Sequence, residues 1–230
     1  MDIMSPATGL AALPNVRLVH HPLVASKMAA LRDKTTSVPA FRRLVHELGA
    51  LLAYEATGAL PTRWVDVATP LESTGCEVLA RAPTVVPILR AGLGLAEGLL
   101  SVLTEARLGH LGLRRDEHTL EPVAYYAKLP AEAAAGPVIV VDPMLATGGT
   151  AVRAFDDLKA RGCRDLRMVV LVATPQACAR MLARHPDVPI VVAALDRELD
   201  PKGFIRPGLG DAGDRMNGTL PPGADDGALR

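Results

Sequence analysis

The chain has 230 residues, of which 49% are hydrophobic, so it can bury one large core and is expected to form one domain. Lysine plus arginine equals aspartate plus glutamate at 25 each, and this balance gives no indication of a nucleic-acid or membrane partner. The three cysteines are far apart in the sequence, so neither a disulfide framework nor a paired-cysteine zinc site is expected.

The compartment and the domain limits follow from the same composition. The most apolar stretch, residues 85–103, contains Arg90 and Glu97, which argues against a membrane span. The first ten residues have no basic region before an apolar one, so no secretory signal is expected. We predict a cytoplasmic protein with a single domain over residues 1–220 and a disordered tail over 221–230, which is rich in proline, glycine and aspartate.

Two helices are predicted near the N-terminus, over Pro22–Arg32 and residues 39–56. Ser37 is a suitable cap for the second of them. This region differs from the strand-rich remainder of the chain, and we expect its helices to cover or extend the core.

Four runs rich in valine, isoleucine and leucine are predicted as strands buried on both faces, because they lack polar alternation. They are Thr84–Leu89, Val138–Val141, 168–173 and 189–195. After the second run, Val152, Phe155 and Leu158 recur at helical spacing, and Gly162 stands where the helix would end. Another helix is predicted over 176–184. The alternation predicts an α/β fold with a mainly parallel sheet flanked by helices, in which ligands bind beyond the carboxyl ends of the strands.

Residues 138–150, VIVVDPMLATGGT, place an acid and a small-residue loop between a buried strand and a helix. Gly148 and Gly149 have no side chain to block an anion, so the N–H groups of residues 146–150 can converge on one. No lysine follows the glycines, and their spacing differs from the dinucleotide fingerprint, so a single phosphate fits best. Asp142 can accept hydrogen bonds from two hydroxyls of the same sugar. Ribose 5-phosphate is the predicted ligand, and a helix-capping turn is the alternative.

Three further arginines are candidates for binding the same ligand. Arg90 comes directly after Thr84–Leu89, where its guanidinium can hold a diphosphate with two N–H groups. Arg114 and Arg115 precede a polar stretch that extends to Pro122 without periodicity, which predicts a loop that brings more positive charge to the same ligand. A surface arginine and a solvated basic pair are the alternatives.

Residues 203–214, GFIRPGLGDAGD, contain four glycines, a proline and two aspartates, and are too irregular for a strand. An ordered loop of this kind can present backbone N–H and C=O groups to a small planar ligand. A turn-rich connection without a ligand is the alternative.

The segments VVDPMLATGGT, VVPILRAGLG, TLEP at 119–122 and FIRPGLGDAGD together resemble the uracil phosphoribosyltransferase family over about residues 18–219. Many phosphoribosyltransferases carry two adjacent acids before the loop, whereas this subfamily has aspartate then proline, as in Asp142 and Pro143. The resemblance implies a type I phosphoribosyltransferase-like fold with a C-terminal hood over the base. The implied reaction is transfer of the phosphoribosyl group of phosphoribosyl pyrophosphate (PRPP) to uracil, which gives UMP and diphosphate in pyrimidine salvage.

The resemblance also implies residue roles. PRPP would be bound by Arg90, Arg115, Asp142, Pro143, Met144, Leu145, Ala146, Thr147, Gly148, Gly149, Thr150 and Asp211. Uracil would be bound by Ile205, Gly210, Asp211 and Ala212. Catalysis would depend on Arg90, Arg115 and Asp142. The sequence departs from the family pattern at Arg114, where an aromatic residue is common, at His118, where an acid is common, and at Arg206, where an aliphatic residue is common.

The implied cofactor is Mg²⁺ on the oxygens of the donor diphosphate, without a metal site made by the protein alone. GTP is an implied activator, and a homo-oligomer is expected. Two other functions stay open: phosphoribosyl transfer to another base, and an RNA-binding regulator of the same fold. The net charge of zero and the absence of a basic run argue against the regulator.

Overall fold

The computed structural model describes residues 13–115 and 122–219. Its strands are β1 (Val16–Leu18), β2 (Thr62–Ala68), β3 (Ser73–Leu79), β4 (Thr84–Leu89), β5 (Arg107–Leu108), β6 (His110–Arg115), β7 (Pro122–Lys128), β8 (Val138–Val141), β9 (Met144–Leu145), β10 (Leu166–Ala173), β11 (Ile190–Leu195), β12 (Glu198–Leu199) and β13 (Ile205–Arg206). Its helices are α1 (Pro22–Arg32), α2 (Val38–Thr57), α3 (Gly92–Leu100), α4 (Gly149–Ala160), α5 (Pro175–Arg184) and α6 (Ala212–Asn217), with a 3₁₀ helix at Ala131–Ala135. His118 and the predicted tail lie outside the described residues.

Nine strands form one sheet in the order β1–β11–β10–β8–β4–β6–β7, with β5 paired to β4 and β9 paired to β10. All of these pairs are parallel except β6 with β7. The predicted α/β fold with a mainly parallel sheet is therefore confirmed. Because β4, β8, β10 and β11 run in the same direction, the residues that follow them meet at one edge of the sheet.

Helices cover both faces of this sheet. One face contains Val140 and is covered by α4 and α5, with Phe155 of α4 fully buried. The other face contains Ile139 and is covered by α1, α2 and α3, with Phe41 of α2 fully buried. Burial on both faces explains why the strand sequences lack polar alternation. Among the described helices, none is long and apolar enough to cross a membrane.

The predicted elements agree with the structure to within two residues at their ends. The third predicted strand begins earlier, at Leu166, and the fourth begins at Ile190. Helix α1 has its predicted limits, and α2 extends one residue further at each end. Ser37 is the N-cap residue of α2, but its side chain makes no capping hydrogen bond.

Two hairpins were not predicted. Strands β2 and β3 pair with each other outside the main sheet, and most of their residues are exposed, so no apolar run marks them. Strands β6 and β7 pair antiparallel as far as Arg115 opposite Pro122. The loop predicted after Arg115, over residues 116–122, is therefore wrong at Pro122, which pairs across the hairpin, and residues 116–121 lie outside the described part of the chain.

Residues 198–217, called the hood below, follow the last strand of the main sheet. Strands β12 and β13 form a short antiparallel pair, and α6 ends the segment. The prediction that 203–214 is too irregular for a strand is wrong at Ile205–Arg206, which form β13. Two paired residues are too few to leave a periodic sequence signal.

Candidate active site

A cleft of about 230 Å³ lies at the carboxyl edge of the sheet, between the loop after β8 and the hood. The loop contributes Asp142, Met144 and Ala146 to its lining. The hood contributes Ile205, Gly210, Asp211 and Ala212. Residues predicted to bind a phosphoribosyl donor and residues predicted to bind uracil are therefore neighbours in one cleft.

Four further residues, which were given no individual role, line this cleft: Ala91, Gly203, Phe204 and Gly213. Each adjoins a predicted residue in the sequence or belongs to the glycine-rich segment of the hood. That proximity is the signal that could have identified them.

The loop after β8 is fixed by strand β10 and by the residue that follows it. The carbonyl oxygen of Pro143 accepts a hydrogen bond of 3.0 Å from the N–H of Val172. The N–H of Thr174 donates to the carbonyl of Leu145 at 3.1 Å, and its hydroxyl donates to the carbonyl of Ala146 at 2.9 Å. Thr174 is buried and was not among the predicted site residues. The sequence feature that could have identified Thr174 is its position directly before the proline that begins α5.

Helix α4 begins at the glycines, as the phosphate-loop prediction requires. Gly148 is its N-cap residue and has a left-handed backbone with φ of 79°. A Cβ atom there would also lie 3.0 Å from the carbonyl oxygen of Ala177. The first N–H groups of any helix lack an intrahelical acceptor, so those of α4 can bind an anion. Thr147 and Thr150 are partly exposed beside them.

Pro143 and Leu145 have buried side chains, whereas Met144 and Ala146 are partly exposed and line the cleft. Side chains therefore alternate between the core and the cleft along this short segment. Of the predicted donor-binding residues in the loop, Pro143 and Leu145 do not present their side chains to the cleft.

Asp142 is the residue directly after β8, and it lines the cleft. Burial disfavours the charged carboxylate and raises its pKa to about 7, while a hydrogen bond from the backbone N–H of Met144 opposes that shift. The carboxyl group thus titrates near neutral pH. Both of its oxygens can accept hydrogen bonds from hydroxyl groups when it is ionised.

Arg90 follows β4, the strand next to β8 in the sheet. Its side chain is exposed and makes no hydrogen bond or ion pair with the described residues. Gly92 brings this turn against the end of β8, since a Cβ atom there would lie 2.5 Å from the carbonyl oxygen of Val141. The backbone of Arg90 is therefore close to that of Asp142, at the same edge of the sheet.

Arg115 is the last residue of β6, which pairs with β4 through Gly112 opposite Leu89. Its backbone belongs to the strand on the far side of β4 from Asp142. Arg114, one residue earlier, is exposed. Arginines thus follow or end two adjacent strands, beside the strand that leads to the glycine loop.

The hood side of the cleft is a tight turn followed by a short helix. Ile205 is buried, and Gly208 and Gly210 have left-handed backbones with φ of 63° and 77°. Asp211 is exposed and caps α6, because its Oδ1 accepts the N–H of Asp214 at 2.9 Å. Arg206 is exposed on the hood and is not part of the cleft lining.

Comparisons with known proteins identify the family. The profile described as "Uracil phosphoribosyltransferase" matches residues 18–219. A uracil phosphoribosyltransferase of Acholeplasma laidlawii is 52% identical over 202 residues, which cover 88% of this chain and 97% of that protein.

Solved structures agree. The structure of the AQ2163 protein of Aquifex aeolicus has a TM-score of 0.83 and 37% identity, over 87% of this chain and 97% of that one. An adenine phosphoribosyltransferase of Trypanosoma brucei, solved with AMP, pyrophosphate and ribose 5-phosphate, is 10% identical with a TM-score of 0.57, over 84% of this chain and 91% of that one. At that identity it supports the fold alone, which is the type I phosphoribosyltransferase fold. The chain therefore belongs to the uracil phosphoribosyltransferase family.

Proposed function

We propose that this protein transfers the phosphoribosyl group of PRPP to uracil and releases UMP and diphosphate, as a step of pyrimidine salvage. The observation that carries the proposal is the single cleft lined by both the glycine-loop segment and the hood, in a chain of this family. In the reaction, the bond from the anomeric carbon to the diphosphate oxygen breaks. A bond from that carbon to a uracil ring nitrogen forms on the opposite face, and the nitrogen loses its proton.

The donor is proposed to lie along the loop side. Asp142 accepts hydrogen bonds from the two ribose hydroxyls, and residues 143–150 surround the 5-phosphate at the start of α4. Arg90 and Arg115 hold the diphosphate and neutralise its growing negative charge as it leaves. The guanidinium of Arg90 is exposed and has no partner among residues 13–115 and 122–219, which supports this role because no ion pair there has to break.

Uracil is proposed to lie against the hood. Ile205 and the backbone of Gly210, Asp211 and Ala212 contact the base, and the Asp211 side chain faces the donor. Backbone N–H and C=O groups suit a flat ring that carries both donors and acceptors. Holding both reactants in line lowers the barrier, because the entropy of bringing them together is lost on binding and not in the transition state.

Mg²⁺ is the proposed cofactor. Among the described residues, no group of three or more His, Cys, Asp or Glu side chains could hold a metal ion. The cleft does offer two carboxylates, Asp142 and Asp211. This fits Mg²⁺, which commonly binds through one or two carboxylates together with substrate phosphates. When bound, the ion would supply positive charge to the diphosphate.

The direct test is incubation of the protein with PRPP, Mg²⁺ and one base at a time: uracil, cytosine, hypoxanthine or orotate. We expect UMP from uracil and little product from the other bases. Preferential use of another base would contradict the uracil assignment while it preserved phosphoribosyl transfer. The absence of product with every base would contradict the proposed phosphoribosyltransferase activity.

A homo-oligomer is proposed on the basis of the β2–β3 hairpin. Both of its faces are largely exposed, and Trp64 and Leu71 are 71% and 96% exposed. A second copy of the chain that covers them would bury apolar surface. Sedimentation should therefore show a dimer or larger species that the double variant Trp64→Ser/Leu71→Ser weakens. Leu23→Ser, at another exposed leucine, is the matched control. A monomeric wild-type protein would contradict the proposal.

Three further proposals rest on sequence and resemblance. Residues 1–220 act as one domain, which is supported by the nine-stranded main sheet whose two faces carry the described core. The protein works in the cytoplasm, in keeping with its free cysteines. GTP activates it, and assays with and without GTP at low PRPP concentration would test this.

A further inference from the structure

An ion pair joins the end of helix α1 to the base of the hood. Arg32, in the last turn of α1, places Nη1 and Nη2 each 2.7 Å from the Oδ2 and Oδ1 atoms of Asp196. Asp196 directly follows β11, and its side chain is only 5% exposed. Two parallel N–H···O bonds fix the relative orientation of the guanidinium and the carboxylate. The pair is therefore a rigid connection between residues at opposite ends of the chain.

The same ion pair binds both backbone groups of Gly208. Arg32 Nη1 donates to the carbonyl oxygen of Gly208 at 2.6 Å, and the N–H of Gly208 donates to Asp196 Oδ2 at 2.8 Å. The turn at Gly208 is tight, since a Cβ atom there would lie 2.0 Å from the carbonyl oxygen of Ile205. We call Arg32, Asp196 and the Gly208 backbone the clasp. It determines where this turn lies relative to the sheet.

Gly208 lies between the hood residues that line the cleft. Ile205 is three residues before it, and Gly210 is two residues after it. Arg32 and Asp196 are not part of that lining; they line a separate cleft of about 350 Å³. The hydrogen bonds to Gly208 connect the ion pair to the turn that carries the lining residues of the first cleft.

A second arginine ties the same end of α1 to the hood. Nη1 of Arg215, in α6, donates to the carbonyl oxygens of Leu31 and Leu209, both at 2.8 Å. Its guanidinium stacks over the ring of Phe41 at 4.5 Å. The end of α1 thus contacts the hood twice, through Arg32 at the Gly208 backbone and through the Leu31 carbonyl at the Arg215 side chain.

We propose that Arg32 and Asp196 are positioning residues for the acceptor base. The clasp sets the position of the hood backbone, which in turn sets the hydrogen-bonding geometry offered to uracil. This inference rests on the proposed function, because it takes the hood as the base-binding side. It assigns no contact with substrate to either residue. Disturbing the clasp should therefore weaken uracil use and leave PRPP use nearly unchanged.

The test uses the Arg32→Lys variant in the full chain. Lysine keeps the positive charge, but one ammonium group cannot reproduce the fork to Asp196 together with the bond to Gly208. We expect the KM for uracil to rise about tenfold or more and the KM for PRPP to change less than about twofold. The matched control is Lys27→Met, which removes another ion pair of α1, with Glu47 at 2.6 Å. It should leave both KM values near those of the wild type.

An unchanged KM for uracil in folded Arg32→Lys, or equal rises in both KM values, overturns the proposal. If that variant does not fold, Asp196→Asn takes its place with the same expectations. Amide hydrogen exchange of Gly208 provides a measurement that needs no catalysis. It should accelerate in the clasp variant and not in Lys27→Met, and equal exchange in all three proteins overturns the clasp. A wild-type protein that forms no UMP overturns only the proposed function.

Discussion

The two walls of the cleft are held by different kinds of interaction. The loop wall, residues 142–150, is fixed by backbone hydrogen bonds to the adjacent strand β10 and by Thr174. The hood wall is fixed by side chains from the other end of the chain, as in the pair between Arg32 and Asp196, which are 164 residues apart. A wall made within the sheet depends on local sequence. A wall made by distant side chains depends on completion of the whole fold.

If the loop side binds the donor, Arg90→Ala should have the largest effect on turnover. Loss of the guanidinium leaves charge on the departing diphosphate unneutralised, and we expect kcat to fall by about 10²- to 10³-fold with little change in uracil affinity. Steady-state kinetics with each substrate varied would measure this. Arg164→Ala, an exposed arginine that precedes β10, is the control. Unchanged activity in Arg90→Ala would remove Arg90 from the mechanism.

Asp142→Asn should change how stability depends on pH. The pKa of Asp142 is about 7 in the folded protein, and its ordinary value is 3.8. Between pH 3.8 and 7, the folded protein therefore holds a proton on Asp142 that the unfolded chain releases. Stability of the wild type should therefore fall as pH rises through this window, by about 2 to 4 kcal/mol relative to the variant. Urea unfolding from pH 4 to 8 measures it.

Asp66→Asn, at an exposed aspartate of β2, is the control for that experiment and should follow the wild-type slope. The same slope in wild type and Asp142→Asn would show that the Asp142 carboxyl is ionised as in a solvated aspartate. Burial of this carboxyl group in the loop wall would then not lower the free energy of unfolding.

The hood wall should be sensitive to its tightest turn. Gly208→Ala introduces a Cβ at a φ of 63° and within 2.0 Å of a carbonyl oxygen, so it should cost about 2 to 3 kcal/mol and raise the KM for uracil. Gly162→Ala is the control, because φ is 90° there, the nearest atom to a new Cβ is 3.6 Å away, and the residue is not part of the cleft lining. The strained backbone conformation alone should lower the free energy of unfolding of this control variant by about 1 kcal/mol. Equal losses in the two variants would contradict a role for close packing at Gly208.

Thr174→Val should produce the smallest effect. It removes the hydroxyl that donates to Ala146 and accepts the N–H of Ala177 as the cap of α5. We expect a loss of about 1 to 2 kcal/mol in unfolding free energy and a rise in the KM for PRPP. Thr57→Val, at a hydroxyl bonded to Ala53 within α2, is the control. A rise in the KM for uracil instead would contradict the assignment of PRPP to the loop wall and uracil to the hood wall.

The main sheet and the glycine loop could be predicted because their signals are local. Val138–Val141 is apolar without alternation, and the glycines that begin α4 follow within ten residues. The β2–β3 hairpin could not be found in this way, since its exposed residues leave no apolar pattern. The hood was recognised by family resemblance, whereas the ion pair that holds it links residues whose proximity exists only in the folded chain.

The pairing of β1 with β11 has a consequence for synthesis. Val16 is opposite Ile190, so the first strand finds its neighbour only after some 170 further residues have been translated. At typical rates of chain elongation this interval is on the order of ten seconds or more. During that time α1 has neither β11 nor the hood to pack against. The N-terminal segment is thus synthesised first but can join the sheet only after β11 has been synthesised. A ribosome-bound chain that stops before Ile190 would leave the edge of β10 exposed to other chains.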